Sequence, residues 1–114
     1  MEAKKEYDWA VTPEKVELAV RKIVELVRPL KIILFGSYVR GATSINSDLD
    51  ILVIIGDDVE NPRKESVRIR RSLRGISMPM DILVVPSTKW EQLKDLSGTI
   101  YREALYKGKV VYES

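Results

Sequence analysis

The chain has 114 residues, 45% of them hydrophobic and 32% charged, with a formal net charge of +2. That describes one domain of soluble composition, and too little net charge to point to nucleic acid by itself. It contains neither cysteine nor histidine, which excludes disulfides, thiolate nucleophiles, imidazole bases and Cys/His zinc sites. No stretch approaches the roughly 18 consecutive apolar residues of a membrane span. The opening "MEAKKEYDW" lacks the apolar core of a secretory signal, so a cytoplasmic location with no membrane partner is expected.

Residues 1–11 are charged and aperiodic and read as a flexible arm; residues 12–114 read as the folded domain. Thr12 is placed to cap a helix, with Pro13 at its first position and Val16, Val20, Ile23 and Val27 at helical spacing. Pro29 ends it. "KIILF" (Lys31 to Phe35) reads as a buried strand, broken by Gly36, and Ser37 to Ala42 as a short helix. Leu49 to Ile55 reads as a second strand, followed by an acidic turn from Gly56 to Glu60. Asn61-Pro62 starts a basic helix that runs to about Arg74, with Ile69, Leu73 and Val67 on its apolar side.

Met80 to Val85 reads as a third strand. Thr88 and Glu91 have capping-box spacing for a helix through about Leu96. Thr99 to Lys107 reads as a further helix closed by Gly108, and Lys109 to Tyr112 as an edge strand. This order predicts an α/β domain with helices packed on a small sheet.

The feature that demands explanation is acid in apolar strands. Asp48 and Asp50 lie one residue apart, and side chains at i and i+2 of a strand share a face. In "MPMDILVV", Asp81 precedes four apolar residues. If the two strands are neighbours, the three carboxylates can converge. Asp48 alone, after Asn46-Ser47, fits a turn; Asp50, between Leu49 and Ile51, does not. Two carboxylates about 4 Å apart repel by roughly 4 kcal/mol at an effective dielectric of 20. Such a cluster holds protons or binds cations, and all-oxygen ligands favour Mg²⁺ or Mn²⁺. Gly36 and Ser37, at the strand-to-helix turn, supply close backbone approach, free N–H groups and a hydroxyl for an anion. Arg40, one turn on, can reach the same anion.

Gly-Ser, ten intervening residues, Asp-x-Asp and a further strand aspartate resemble the signature of the DNA polymerase beta-like nucleotidyltransferase superfamily. The likeness is closest to its minimal nucleotidyltransferases and spans nearly the whole chain, including the ending "TIYREALYKGKVVYES". It implies an α/β (α+β) fold in which a small mixed sheet is flanked by helices. It also implies that Asp48 and Asp50 bind two Mg²⁺ ions, with Asp81 on one of them. These aspartates would be the catalytic residues, and Gly36, Ser37 and Arg40 the nucleotide-binding ones. The implied reaction moves a nucleoside monophosphate, with ATP as the expected donor among NTPs, to an acceptor hydroxyl. The implied partner is a HEPN-domain toxin modified on a tyrosine, which makes the chain an antitoxin. Tyr38 stands where a basic residue is common.

A chain of this length leaves no room for the domains that grip a template, so the acceptor is expected on a partner or a second copy of the chain. The alternative is a binding module that neutralises its partner by complex formation. RNA as acceptor is a weaker reading. The helix from Arg63 to Arg74 carries six basic residues, yet no aromatic lies between Val39 and Lys89 for base stacking. Arg70, Arg71 and Arg74 are therefore candidates for partner contact only. Trp9, Trp90, Tyr101 and Tyr106 read as packing residues.

Overall fold

The structure, a computed structural model, describes residues 9–41 and 48–114. Most of the expected arm, and Ala42, lie outside the described residues. Eight elements follow in the order α1 (Pro13–Val27), β1 (Lys31–Phe35), β2 (Leu49–Ile55), α2 (Pro62–Ser72), β3 (Met80–Pro86), α3 (Ser87–Leu93), α4 (Ile100–Lys107) and β4 (Lys109–Glu113). The strands form one sheet in the order β3-β2-β1-β4. β1 is antiparallel to both β2 and β4, whereas β2 and β3 are parallel. Parallel neighbours need a crossover, which α2 provides. The sheet is therefore mixed, as expected.

Local chemistry sets the helix ends. Thr12 is extended, and its hydroxyl accepts from Lys15 N at 3.2 Å. Asn61 caps α2 in the same way through Lys64 N, and Thr99 caps α4 through Arg102 N. α1 stops at Arg28, because Pro29 denies the preceding residue the right-handed helical region; Arg28 turns left-handed and donates its N–H to Val24 O.

Alternation along the strands divides the core in two. Leu49, Ile51, Val53 and Ile55 of β2 pack with Ile23 of α1, Ile69 of α2 and Leu73 just past its end. Leu52 and Ile54, with Ile33 and Phe35 of β1, pack on the other face with Trp90 of α3 and Ala104 of α4. Helices cover both faces, which is why β2 reads as an unbroken apolar run.

Four local expectations are corrected. The segment after Gly36 is a turn over 37–41 rather than a helix; it makes one i→i+4 bond, from Arg40 N to Gly36 O. Thr88 caps nothing: α3 begins at Ser87, and Thr88 donates its N–H and hydroxyl to the two Asp57 oxygens. These bonds hold the Asp57 carboxyl below the usual carboxylate range. α3 also ends before Leu96, which is exposed and gives a further turn nothing to bury. Val67 is likewise exposed, off the apolar side of α2.

Gly108 joins α4 to β4 in an extended conformation open to any residue. Its constraint is space: a Cβ there would run into Ala104 O, Leu34 O and the Ile33 side chain. Two of these are backbone atoms, which cannot move aside cheaply. Gly108→Ala is therefore expected to destabilise the fold by about 1–3 kcal/mol. Gly75, where a Cβ meets nothing, is the control, and Gly75→Ala should be neutral or stabilise slightly. Equal denaturation midpoints for Gly108→Ala and the unsubstituted protein would refute the packing argument.

Candidate active site

Topology brings the residues singled out in the sequence to one end of the sheet. β1 finishes there at Phe35, while β2 and β3 start there. In the register, Phe35 lies opposite Asp50, and Asp50 lies opposite Asp81. Leu49 and Ile51 are in the α1/α2 core, so Asp50 points to the opposite face with Leu52. Asp81 sits between Met80 and Ile82, which both pack on the α1/α2 side. The two aspartates thus stand side by side on the α3/α4 face, and Asp48 lies immediately before β2.

Gly36 is built into this arrangement. Its φ is +93°, and a Cβ on it would overlap the Asp50 carboxylate. Only glycine permits both the left-handed turn and the acid lying against it. The next two residues are stitched to the start of β2. Asp48 N donates to Ser37 Oγ at 3.3 Å, and Tyr38 N donates to Asp48 O at 3.3 Å. The glycine-serine turn and the first aspartate therefore form one unit, although ten residues separate them in sequence.

Two arginines flank the acids. Arg40 makes a 2.6 Å ion pair with Glu103 of α4. Arg70 of α2 donates to Ile82 O at 3.0 Å and lies 3.6 Å from Asp81 Oδ1. The Asp81 side chain is 78% exposed and is drawn towards that guanidinium. The expectation that all three carboxylates converge is therefore only partly met. Asp50 and Asp81 are aligned by register, but among the described residues no three acids lie close enough together to grip a metal ion.

Electrostatics single out Asp50. Partial burial raises its pKa above the ordinary carboxylate value, and the charges of Asp81, Asp48 and Glu103 raise it further; Arg40 opposes them. The carboxylate is thus held where its charge is unfavourable, the setting expected of a group whose role lies in binding or chemistry.

A cavity of about 420 Å³ adjoins Arg40, lined by Thr99, Arg102, Glu103, Tyr106 and Lys107. Tyr106 corrects its expected packing role. It is 62% exposed, donates to Asp95 Oδ1 at 2.6 Å and has the Arg102 guanidinium 4.9 Å from its ring centre. Trp90 and Tyr101 do pack in the core, whereas Trp9 is exposed.

Sequence reading missed Glu103 and the position of Arg70. Glu103 carried no signal, because its partner lies 63 residues away. Arg70 was visible only as one member of a basic helix; the β2-α2-β3 crossover decides which arginine meets β3.

The raised pKa of Asp50 has a consequence for stability. The folded state binds its proton more tightly than the unfolded state, so stability contributed by Asp50 falls as pH rises above the unfolded value of about 3.9. Asp50→Asn should therefore have a higher Tm than the unsubstituted protein at pH 7. The gap should close as pH falls towards 3, where Asp50 is neutral in both states. A melting series showing Asp50→Asn less stable at pH 7 would refute this account.

Known proteins share this chain's sequence profile and its fold. The sequence profile of the nucleotidyltransferase domain matches residues 14–109. A search of the curated proteins returns no match. Among solved structures, a protein assigned as a nucleotidyltransferase from Sulfolobus solfataricus is similar at a TM-score of 0.60 and 19% identity, over 88% of this chain and 78% of that one. A toxin–antitoxin structure with AMP-PNP is similar at 0.55 and 22% identity, over 91% and 75%. So is a complex of a tri-AMPylated Shewanella oneidensis HEPN toxin with its MNT antitoxin, at 0.50 and 22%, over 86% and 72%. At these identities the likeness speaks for the fold. The profile, which covers the glycine-serine turn and all three aspartates, speaks for the family: the chain belongs to the nucleotidyltransferase domain family.

Proposed function

We propose that the chain transfers AMP from ATP to a tyrosine hydroxyl of a HEPN-type toxin and so acts as its antitoxin. The observation that carries this is the alignment of Asp50 with Asp81 beside the Gly36–Ser37 turn. Two similar structures support the choice of nucleotide and partner: one is a toxin–antitoxin structure with AMP-PNP, the other contains an AMPylated HEPN toxin.

Each residue has a role in that reaction. The Gly36 backbone, the Ser37 hydroxyl and Arg40 hold the β- and γ-phosphates. Arg40 can do so by exchanging Glu103 for phosphate, since their pair is exposed and such pairs are worth about 1 kcal/mol or less. The acceptor oxygen attacks the α-phosphorus, the α–β bridging bond breaks in line, and pyrophosphate leaves. The hydroxyl proton passes to Asp81, whose carboxylate is 78% exposed and open to an incoming acceptor.

Asp48, Asp50 and Asp81 offer only oxygen ligands, and their mutual repulsion at Asp50 is what a cation would relieve. By its chemistry that donor set suits two Mg²⁺ ions, or Mn²⁺ in their place, although the three carboxylates are not gathered around one point. When bound, the metal supplies neutralisation of phosphate charge and acidification of the acceptor hydroxyl.

One observation favours the binding-module alternative: Arg70 competes for Asp81. The deciding experiment incubates the protein with Mg²⁺, α-labelled ATP and its gene-neighbour protein, and follows label onto protein. Label should appear on the partner and be absent with Asp50→Asn. Asp81→Asn should slow transfer by about 10²–10⁴-fold, and Arg40→Ala should raise the KM for ATP. A tight complex that never acquires label, whichever NTP is supplied, would leave the binding module standing.

A further inference from the structure

Asp48 borders a second cleft. Trp9, Ile76, Ser77, Met78 and Pro79 line it with Asp48, and it encloses about 490 Å³. Its walls come from the residues before α1 and from the loop between α2 and β3. One ammonium group spans both: Lys15 Nζ donates to Ala10 O at 2.8 Å and to Ser77 O at 2.7 Å. Leu49 N donates to Pro79 O at 3.1 Å, which fixes the loop to the first residue of β2. Ile76 and Met78 are anchored in the α1/α2 core. The cleft is thus held from three sides, and Trp9, 41% exposed, gives it an aromatic wall.

Its chemistry differs from that of the cavity beside Arg40. That cavity carries Arg40, Arg102 and Lys107 and suits phosphate. Among the described residues no basic side chain lines the Trp9 cleft; an indole, a thioether and an isoleucine suit an uncharged flat ring. Asp48 belongs to the reacting centre through Ser37 and to the cleft through Trp9. A nucleotide whose β- and γ-phosphates lie towards Arg40 and whose α-phosphate lies by the aspartates has its nucleoside left to place. The acceptor needs the side of Asp81, which does not line the cleft.

We infer that the Trp9 cleft is the nucleobase site: it takes the purine ring of the donor nucleotide, stacked on Trp9 over Met78 and Ile76. Lys15 is a positioning residue that holds the two walls together. The inference rests on the transferase reading above.

The test is a calorimetric titration of two probes, ATP and inorganic tripolyphosphate, each with Mg²⁺. Both are titrated into the unsubstituted protein, Trp9→Ala and Trp9→Phe, with thermal melts to verify folding. Trp9→Ala should weaken ATP binding by about 5- to 150-fold, the loss of one base–aromatic stack. Tripolyphosphate, which has no base, should bind all three proteins equally. Trp9→Phe should keep most of the ATP affinity. ATP bound equally by Trp9→Ala and the unsubstituted protein would overturn the base site and leave the transferase reading intact. Equal loss of both probes in Trp9→Ala would show a structural role instead, and also overturn it. An unsubstituted protein that binds neither probe would remove the transferase reading, and this inference with it.

Discussion

The contact between the Gly36 backbone and the Asp50 carboxylate is the constraint on which the site depends. It joins the end of β1 to the start of β2 on the α3/α4 face of the sheet. Any side chain at position 36 would have to displace the acid. With Gly36 and Asp50 in contact, the antiparallel pairing of β1 and β2 and the parallel pairing of β2 and β3 leave no freedom in the rest. Phe35, Asp50 and Asp81 must lie in a row, and the Ser37–Asp48 hydrogen bond follows from the same closeness.

That row has an energetic character of its own. The sheet is buried on both faces by two separate sets of side chains, so β2, one of its two interior strands, is a firmly packed support. An acid on such a strand is unfavourable for folding: burial and neighbouring carboxylates both resist its ionisation. The same rigidity fixes its position to within the precision of the backbone pairing. Stability surrendered locally at Asp50 is offset by the apolar residues on either side of it. Leu49 and Ile51 are fully buried, at 0% exposure.

This division also explains what could be read from the sequence. The strands were legible because both faces of the sheet are covered, which makes β2 a continuous apolar run in which Asp50 stands out. The helix starts at Thr12, Asn61 and Thr99 were legible because a cap acts within one turn. Thr88 misled for a related reason: its local pattern fits a cap, but a remote acid, Asp57, takes its hydrogen-bonding groups. Trp9 and Tyr106 misled because aromatic residues at helix margins usually pack, and exposure is a tertiary property. The pairings of Arg40 with Glu103 and of Arg70 with Asp81 depend on how α4 and α2 lie across the sheet. No spacing rule within one element reaches them.

Those two pairings differ from the Gly36–Asp50 contact in kind. Both are exposed ion pairs, each worth little in water, and each links an arginine to an acid of the site or its rim. A group held by so little is easily recruited by a stronger partner. If the proposed site takes a polyphosphate, it would outcompete one carboxylate for Arg40, because it brings more charge and more acceptor oxygens. Once Arg40 leaves Glu103, the charge balance at Asp50 changes, since Arg40 opposes and Glu103 reinforces the rise in its pKa. On the proposed reading, nucleotide charge and aspartate ionisation would be coupled through side chains alone, over a backbone that has no need to move.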